Sequence, residues 1–400
     1  MRIYNTLTEK KDIFLKREQR GYRVFVCGPT VQDNIHLGHA KTYLAYDVLV
    51  RWLLKNGNRV FFLMNVTDVD DKIFDRAKKE KTTYMNIADK FYNDFLTDLE
   101  ALNILTVSKY ARVSSHVESA SILVKKMMES GIAYPLDGSI YFDTSRSDHF
   151  GKLSHQSEFQ LKLKQIDAAP GKRNSVDFLL WRKVDDAQEG IWDYSLGPGR
   201  PGWHIEDSAI AFDEFNGPYD LHGGATELIF PHHEAELAQD EAVSGKVPFV
   251  SVWMHTGLLL MDGEKMSKSL GNVVTVREAM KSYSADVLRF YFLKRHYRDS
   301  FDVDLKEITA SAKEIDPIPK AANAAPKLML RNHPDKPKEK SKLQKEFDEA
   351  LEDDLDTPRA LRLLLRVSND ILEEKDEGIL KTELAPTFWH MIDSLGFRLS

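Results

Sequence analysis

Two near-continuous apolar runs stand out along the chain, Tyr22-Arg23-Val24-Phe25-Val26 and Arg59-Val60-Phe61-Phe62-Leu63-Met64-Asn65-Val66. Such runs suit strands of a parallel sheet covered on both faces. Between them, from Ala40 to Leu54, Tyr43, Leu44, Val48, Leu49, Trp52 and Leu53 recur at helical spacing, and Asn56-Gly57-Asn58 reads as the turn that follows. Helical patterning covers much of 73–130, notably Ile87 to Leu105 and His116 to Ser130, and Gly138 to Asp143 reads as a short strand. The pattern then breaks into turn-rich sequence up to about residue 200, including Ala168-Ala169-Pro170-Gly171 and Gly197-Pro198-Gly199-Arg200-Pro201-Gly202, which predicts an insertion between two halves of a sheet domain. Strand signals return at Ser208–Phe212 and near Phe249–Met254. The segment after Pro231 is helical, and 275–305 is helical with Tyr283, Phe290, Tyr291 and Phe292. Residues 311–342, rich in Lys, Ala and Pro, predict a linker, and Glu346 to Leu395 predict two or three amphipathic helices. The sum is an α/β chain followed by a helical end, without internal repeats.

Composition narrows this only a little. The 400 residues suffice for two to four units, and 42% hydrophobic with 29% charged residues is ordinary for a globular protein. A net charge of −7 means that a nucleic-acid partner would have to meet local basic patches. Cys27 is the one cysteine, which excludes an intramolecular disulfide and fits a reducing compartment. The N-terminus lacks a signal-peptide core, and no run approaches the ~18 apolar residues of a membrane span. The expectation is a cytoplasmic protein without membrane contact.

Four stretches carry candidate chemistry. Cys27-Gly28-Pro29-Thr30-Val31-Gln32-Asp33-Asn34-Ile35-His36-Leu37-Gly38-His39 joins the first strand to the first helix. Backbone N–H groups and the helix dipole bind anions at such a helix start, and His36 and His39 add donors. Thr67-Asp68-Val69-Asp70-Asp71 follows the second strand; its acids fit metal ligation, a ribose or amine contact, or a helix cap, with at least one read as the cap. His232 and Glu236, four residues apart after Pro231, share a helix face, a spacing used to hold a metal; it equally fits a helix start with an acid in its first turns. A zinc site of Cys27, His232 and Glu236, with Asp207 as fourth ligand, would account for the lone cysteine at a strand end. Finally, Met261-Asp262-Gly263-Glu264-Lys265-Met266-Ser267-Lys268-Ser269-Leu270-Gly271-Asn272 is a cationic loop suited to neutralising a phosphate leaving group.

With these motifs the chain resembles the class I aminoacyl-tRNA synthetases, and within them the cysteinyl-tRNA synthetase family. The class pair is His36-Leu37-Gly38-His39 and Lys265-Met266-Ser267-Lys268-Ser269. The narrower match adds Val26–Val31, Asn65–Lys72, Gly199–Glu206, Phe230–Glu234 and Asp262–Asn272, and continues weakly into Asp353–Leu361. The resemblance implies a Rossmann-like parallel sheet split over 1–105 and 201–256, a connective insertion at 106–200, the lysine loop and stem-contact helices at 257–310, the linker at 311–342, and helices of tRNA-binding type at 343–400. It implies ATP, with Mg²⁺, and cysteine as substrates and tRNA(Cys) as acceptor, on a chain taken as a monomer. Thr30, His36, Gly38, His39 and Lys268 would bind ATP. His36, His39, Lys265 and Lys268 would be catalytic. Cys27, Gly28, Thr67, Trp203, Glu227 and His232 would surround the amino acid. One zinc ion, on Cys27, Asp207, His232 and Glu236, would select the thiol, since a pocket using size alone rejects a near-isostere by only ~10²-fold.

The chain departs from that family at defined positions. Asp207 stands where the family has a second cysteine ligand; a harder carboxylate predicts weaker zinc binding but stronger polarisation of an incoming thiol. Glu227 replaces the usual Asp, and Gln32 the usual Tyr. The family's last small domain has no counterpart before Ser400, which implies either no anticodon reading or reading by the helices alone. Lys320, Lys327, Lys336, Lys338, Lys340 and Lys342 could follow a tRNA backbone or simply solvate a linker. The alternatives are a relative that ligates cysteine to a small amine, as in mycothiol-type cysteine ligases, and a non-catalytic nucleotide- or tRNA-binding paralogue.

Overall fold

The computed structural model describes residues 1–14, 21–147, 149–184, 189–266, 271–327 and 340–399. Its centre is a five-stranded, wholly parallel sheet built from β1 (Tyr22–Val26), β2 (Val60–Val66), β3 (Lys109–Arg112), β4 (Tyr219–Ala225) and β5 (Val250–Thr256), in spatial order β5-β4-β1-β2-β3. The two apolar runs of the sequence are the inner strands β1 and β2. They pair in register with Val24 opposite Phe62, and their helical cover removes both faces from water. Helix α1 (Leu37–Lys55) returns from β1 and is buried along most of its length between the sheet and the C-terminal helices, so its polar face is narrow. The strand order reverses between β1 and β4. In open α/β sheets a ligand crevice forms at that switch point, beyond the carboxyl ends of the strands.

Helix α2 (Asp71–Glu80) follows β2, and α3 (Tyr84–Ala101) leads to the edge strand β3. That edge strand was not foreseen, because only Tyr110 and Ala111 in it are apolar. Two expectations from the pattern are corrected here. Ser208–Phe212 is not a strand but the middle of helix α4 (Trp203–Phe215). This helix is buried on opposite sides, with Ile205 and Ala209 against the insertion and Ile210 and Phe215 against the sheet, so its apolar residues run together like those of a strand. The real strand is β4, whose Asp220, His222, Gly223 and Gly224 hide it. A Cβ on Gly223 would lie 2.3 Å from the Tyr46 hydroxyl, which donates to the carbonyls of Gly224 and Met254.

The turn-rich stretch holds an antiparallel five-stranded sheet spanning 133–201, with Phe142, Phe178, Leu180 and Trp181 in its core; strands of three to six residues leave little periodicity to read. The linker expectation over 311–342 is likewise corrected in part. Leu305–Glu314 and Pro317–Ala324 are helices that bury Ile308, Ile318 and Ala321; residues 328–339, with Lys336 and Lys338, lie outside the described residues. Helices Lys342–Glu352, Thr357–Glu373 and Ala385–Leu395 complete the bundle against α1. No helix among the described residues is long and apolar enough to cross a membrane.

Candidate active site

The loop leaving β1 is tied to both neighbouring strands. The Cys27 N–H donates to the Gly223 carbonyl at 2.9 Å, and the Gly28 N–H donates to Asn65 Oδ1 at 2.6 Å. A Cβ on Gly28 would sit 1.9 Å from the Asn65 carbonyl oxygen, so only glycine allows this approach. Thr30 and Thr67 face one another across a parallel bridge, each side closed by a backbone hydrogen bond.

Further along the same loop, His36 caps α1 with its Nδ1 accepting from the Gly38 N–H at 3.1 Å, and His39 Nδ1 accepts from the His36 N–H at 3.3 Å. This is a capping box built of imidazoles, with ring centroids 3.9 Å apart. In a neutral ring whose Nδ1 accepts, the proton sits on Nε2, a donor suited to phosphate oxygens. The space above Gly38 is taken by the His36 ring, which a Cβ there would meet at 2.9 Å. Backbone bonds from Leu37 to Val274 and from Val276 to Ile35 lace this helix start to the segment that follows the lysine loop. In that loop Lys265 pairs with Glu227; Lys268 lies outside the described residues.

The acids after β2 are structural. Asp68 accepts from the backbone and hydroxyl of Ser114, Asp70 caps α2, and Asp71 pairs with Arg182 and Arg200 of the insertion. The cap expected of at least one of these acids is Asp70.

The buried centre of the crevice gathers residues from β1, α4, β4 and helix α5 (Glu234–Ser244). Cys27 Sγ lies 3.3 Å from Asp207 Oδ2, and His232 Nε2 is 3.1 Å from both Asp207 Oδ2 and Glu236 Oε1. The ligand atoms of Cys27, Asp207, His232 and Glu236 all fall within 4.8 Å of one another. Ligands around a tetrahedral zinc ion at ordinary bond lengths stand roughly 3.3–3.7 Å apart, so the set has the right span. Glu236 Oε1 has no hydrogen bond despite its closeness to His232, and burial, then Asp207 and Asp240, push its carboxyl well above the usual range. Burial, then Asp207 and Glu236, likewise push the Cys27 thiol up. Desolvated would-be anions around one point are what a divalent cation stabilises. The residues fit zinc. Trp203, half exposed, stacks on His232 at 4.2 Å between ring centroids and forms the wall toward solvent.

Comparison with known proteins agrees with this geometry. A family model for the tRNA synthetases class I (C) catalytic domain matches residues 13–313. The cysteine–tRNA ligase of Thermococcus gammatolerans is 40% identical over 95% of this chain and 83% of its own length. That of Desulforamulus reducens is 36% identical over 93% and 78%. The chain belongs to the cysteine–tRNA ligase family. Distant class I synthetases share the fold. Mycobacterium tuberculosis methionyl-tRNA synthetase superposes with a TM-score of 0.62 at 17% identity, covering 94% of this chain and 89% of that one. An Agrobacterium radiobacter leucyl-tRNA synthetase superposes with a TM-score of 0.67 at 11% identity, covering 96% and 84%.

Within this member of the cysteine–tRNA ligase family, the fold brings together Cys27, Gly28, Asp207, His232, Glu236 and Trp203, and separately pairs His36 with His39, Thr30 with Thr67, and Glu227 with Lys265. Sequence reasoning gave no role to His222, His233, His255, His204 or Asn65, all of them buried here. Asn65 donates to Asp207 Oδ1 at 2.6 Å and so orients the carboxylate that replaces cysteine. The signal for His222 was a lone histidine among β4 residues that had not been recognised as a strand.

Asp240, one turn beyond Glu236, is also buried; neither of its oxygens has a hydrogen bond of good geometry, although Ser208 lies near. Burial pushes its carboxyl up from 3.8 to about 8. A carboxyl whose folded pKa is raised binds its proton more tightly in the native state, so stability falls as pH rises from about 4 toward 8. At fixed metal loading, Asp240→Asn is expected to flatten the decline in Tm between pH 6 and 8. An unchanged slope would count against an unpaired acid at this position.

Proposed function

We propose that this protein is an ATP-dependent cysteine–tRNA ligase that charges tRNA(Cys) in the cytoplasm, all its named site residues coming from one chain. The observation that carries the reading is a buried thiol, two carboxylates and an imidazole at the sheet's switch point, on the same crevice edge as His36-Leu37-Gly38-His39. In the first step a carboxylate oxygen of cysteine attacks the α-phosphorus of ATP, and the bond to pyrophosphate breaks. His36 and His39 hold phosphate oxygens through Nε2–H, and Lys268, assisted by Lys265, neutralises the departing charge; Mg²⁺ accompanies the nucleotide. In the second step a hydroxyl of the terminal tRNA ribose attacks the activated carbonyl and AMP leaves. No protein nucleophile is needed, because positioning and charge lower both barriers. Thr30 and Gly38 line the nucleotide side, and Gly28, Thr67 and Trp203 the amino-acid side. Zinc, held by Cys27, His232, Glu236 and Asp207, would supply a soft acceptor for the substrate thiol that a serine hydroxyl matches poorly.

On this reading residues 1–105 and 201–256 are the catalytic halves, 106–200 the insertion, 257–310 the lysine loop with the helices behind it, and 343–400 helices facing tRNA. Glu227, which pairs with Lys265, takes the substrate ammonium when cysteine binds. Glu227→Gln is therefore expected to raise KM for cysteine about 10–100-fold, the range of a charge-assisted hydrogen bond, with a smaller change in kcat. An unchanged KM in steady-state exchange kinetics would remove Glu227 from the amino-acid site. The decisive test of function is ATP–pyrophosphate exchange with cysteine and with serine, followed by charging of unfractionated tRNA. Exchange with cysteine plus transfer supports the ligase. Exchange without transfer points to a small amine as acceptor, and no exchange refutes the assignment.

A further inference from the structure

Lys41 lies in α1 two residues past His39, and it is buried. Its side chain reaches the segments that lead into the lysine loop. Nζ donates to the Gly257 carbonyl at 2.5 Å and to the Tyr297 carbonyl at 3.1 Å, and it stands 5.4 Å from the centroid of the Phe301 ring. Gly257 precedes a hairpin of Leu259–Met261 and Glu264–Lys265, in which Leu260 lies opposite Lys265; Leu259 also pairs with Phe301. The two segments meet closely under the ammonium. The Gly257 N–H donates to the Tyr297 carbonyl at 2.9 Å, and a Cβ on Gly257 would lie 2.4 Å from the Arg298 carbonyl oxygen.

The far end of the loop is tied to the same helix start by backbone. The Leu37 N–H donates to the Val274 carbonyl at 3.0 Å, and the Val276 N–H to the Ile35 carbonyl at 3.1 Å. Lys41 makes the matching tie at the near end with a side chain. The segment it grips is fixed from its other side as well. The Tyr297 hydroxyl donates to Asp354 Oδ1 at 2.6 Å, and buried Asp354 also accepts from the Tyr4 N–H at 2.8 Å and from Arg298 Nε at 3.0 Å.

Lysine fills this place at an electrostatic cost. Burial lowers its ammonium from 10.5 to about 7, opposed by the Asp299 carboxylate. An apolar side chain would avoid that penalty, so packing alone does not account for an amine here. What the amine adds is a directed grip on two carbonyls from the helix that bears His36 and His39. We propose that Lys41 is a positioning residue for adenylate formation, clamping the near end of the lysine loop to the helix that carries the two histidines. This rests on the ligase reading and adds to it a group that acts through others.

The test is cysteine-dependent ATP–pyrophosphate exchange by the full chain, each rate taken per active site from the adenylate burst, for the parent, Lys41→Met, Lys41→Arg and Thr42→Val. Lys41→Met should lower kcat/KM for ATP by about 10–100-fold, the range expected when reacting groups shift by up to about 1 Å, with KM for cysteine unchanged. Lys41→Arg should recover most of that loss, since Lys41 lines a cavity of about 20 Å³ that can take the larger head. Thr42→Val removes the neighbouring hydrogen bond to Thr256 from the same helix and should lower Tm without moving kcat/KM for ATP. Parent constants in Lys41→Met, no recovery with Lys41→Arg, an equal rise in KM for cysteine, or the same loss in Thr42→Val overturns the clamp and leaves the ligase reading standing. No exchange by the parent overturns both. If Lys41→Met lacks the parent's circular dichroism, Lys41→Gln, whose head ends one bond short of Nζ, takes its place in the same comparison.

Discussion

Alanine in place of Lys268 is expected to slow cysteine-dependent ATP–pyrophosphate exchange by roughly 10²–10³-fold, the usual loss when one preorganised charge or donor at a developing negative charge is removed. The fall should appear in kcat rather than in KM for cysteine, because the proposed mechanism has the lysine neutralise charge on the departing pyrophosphate rather than bind the amino acid. Tm should match the parent. The neighbouring cation gives a graded comparison. Lys265 pairs with Glu227, so its removal also frees the carboxylate proposed to hold the substrate ammonium and should disturb KM as well. Single-turnover measurement of adenylate formation separates the two. If Lys268→Ala retained the parent rate, charge neutralisation by this loop would have to be abandoned.

Methionine in place of Arg289 is expected to destabilise the protein by about 3–5 kcal/mol, the cost of breaking a buried ion pair that here also removes a donor from three backbone carbonyls. Arg289 is fully buried and donates to Asp47 Oδ2 at 3.0 Å, to the Leu395 carbonyl at 3.0 Å, and to the carbonyls of Leu102 and Asn103 at 2.9 Å each. One guanidinium therefore ties α1, the end of α3 and the last helix together. Asp47 is fixed in turn by Arg51 at 2.7 Å and the Thr106 hydroxyl at 2.9 Å. Gly396 closes the junction at φ +75°, where a Cβ would stand 2.6 Å from an Arg289 nitrogen. Chemical denaturation should show the midpoint shift, and hydrogen exchange should show Ala385–Leu395 losing protection first. Combining Arg289→Met with Asp47→Leu should recover part of the loss, since the charge then left without its partner is Arg51, which reaches solvent, rather than a fully buried one. A single variant with parent stability would mean that the pair contributes nothing net at this junction.

Much of the molecule was legible because local physics wrote it into the chain. Inner strands covered on both sides must be apolar throughout, so β1 and β2 stood out. A helix start must satisfy its free N–H groups, so a cap among the acids at 67–71 was readable, and the structure assigns it to Asp70; that His36 and His39 cap their own helix was not. The signature stretches likewise pointed to class I synthetase chemistry before any fold was known. Three things needed the tertiary structure. Helix α4 was mistaken for a strand because it is sandwiched between two layers, and β4 was missed because its polar and glycine residues serve the crevice and Tyr46 rather than the core. The candidate metal pocket gathers positions 27, 207, 222, 232, 233 and 236. Cys27, Asp207, His232 and Glu236 were grouped from the sequence, but the presence of His222 and His233 beside them depends on strand order, which no spacing encodes. The sequence determined the elements and the chemistry available at their ends; the packing of β1 beside β4 decided which donors share one desolvated point.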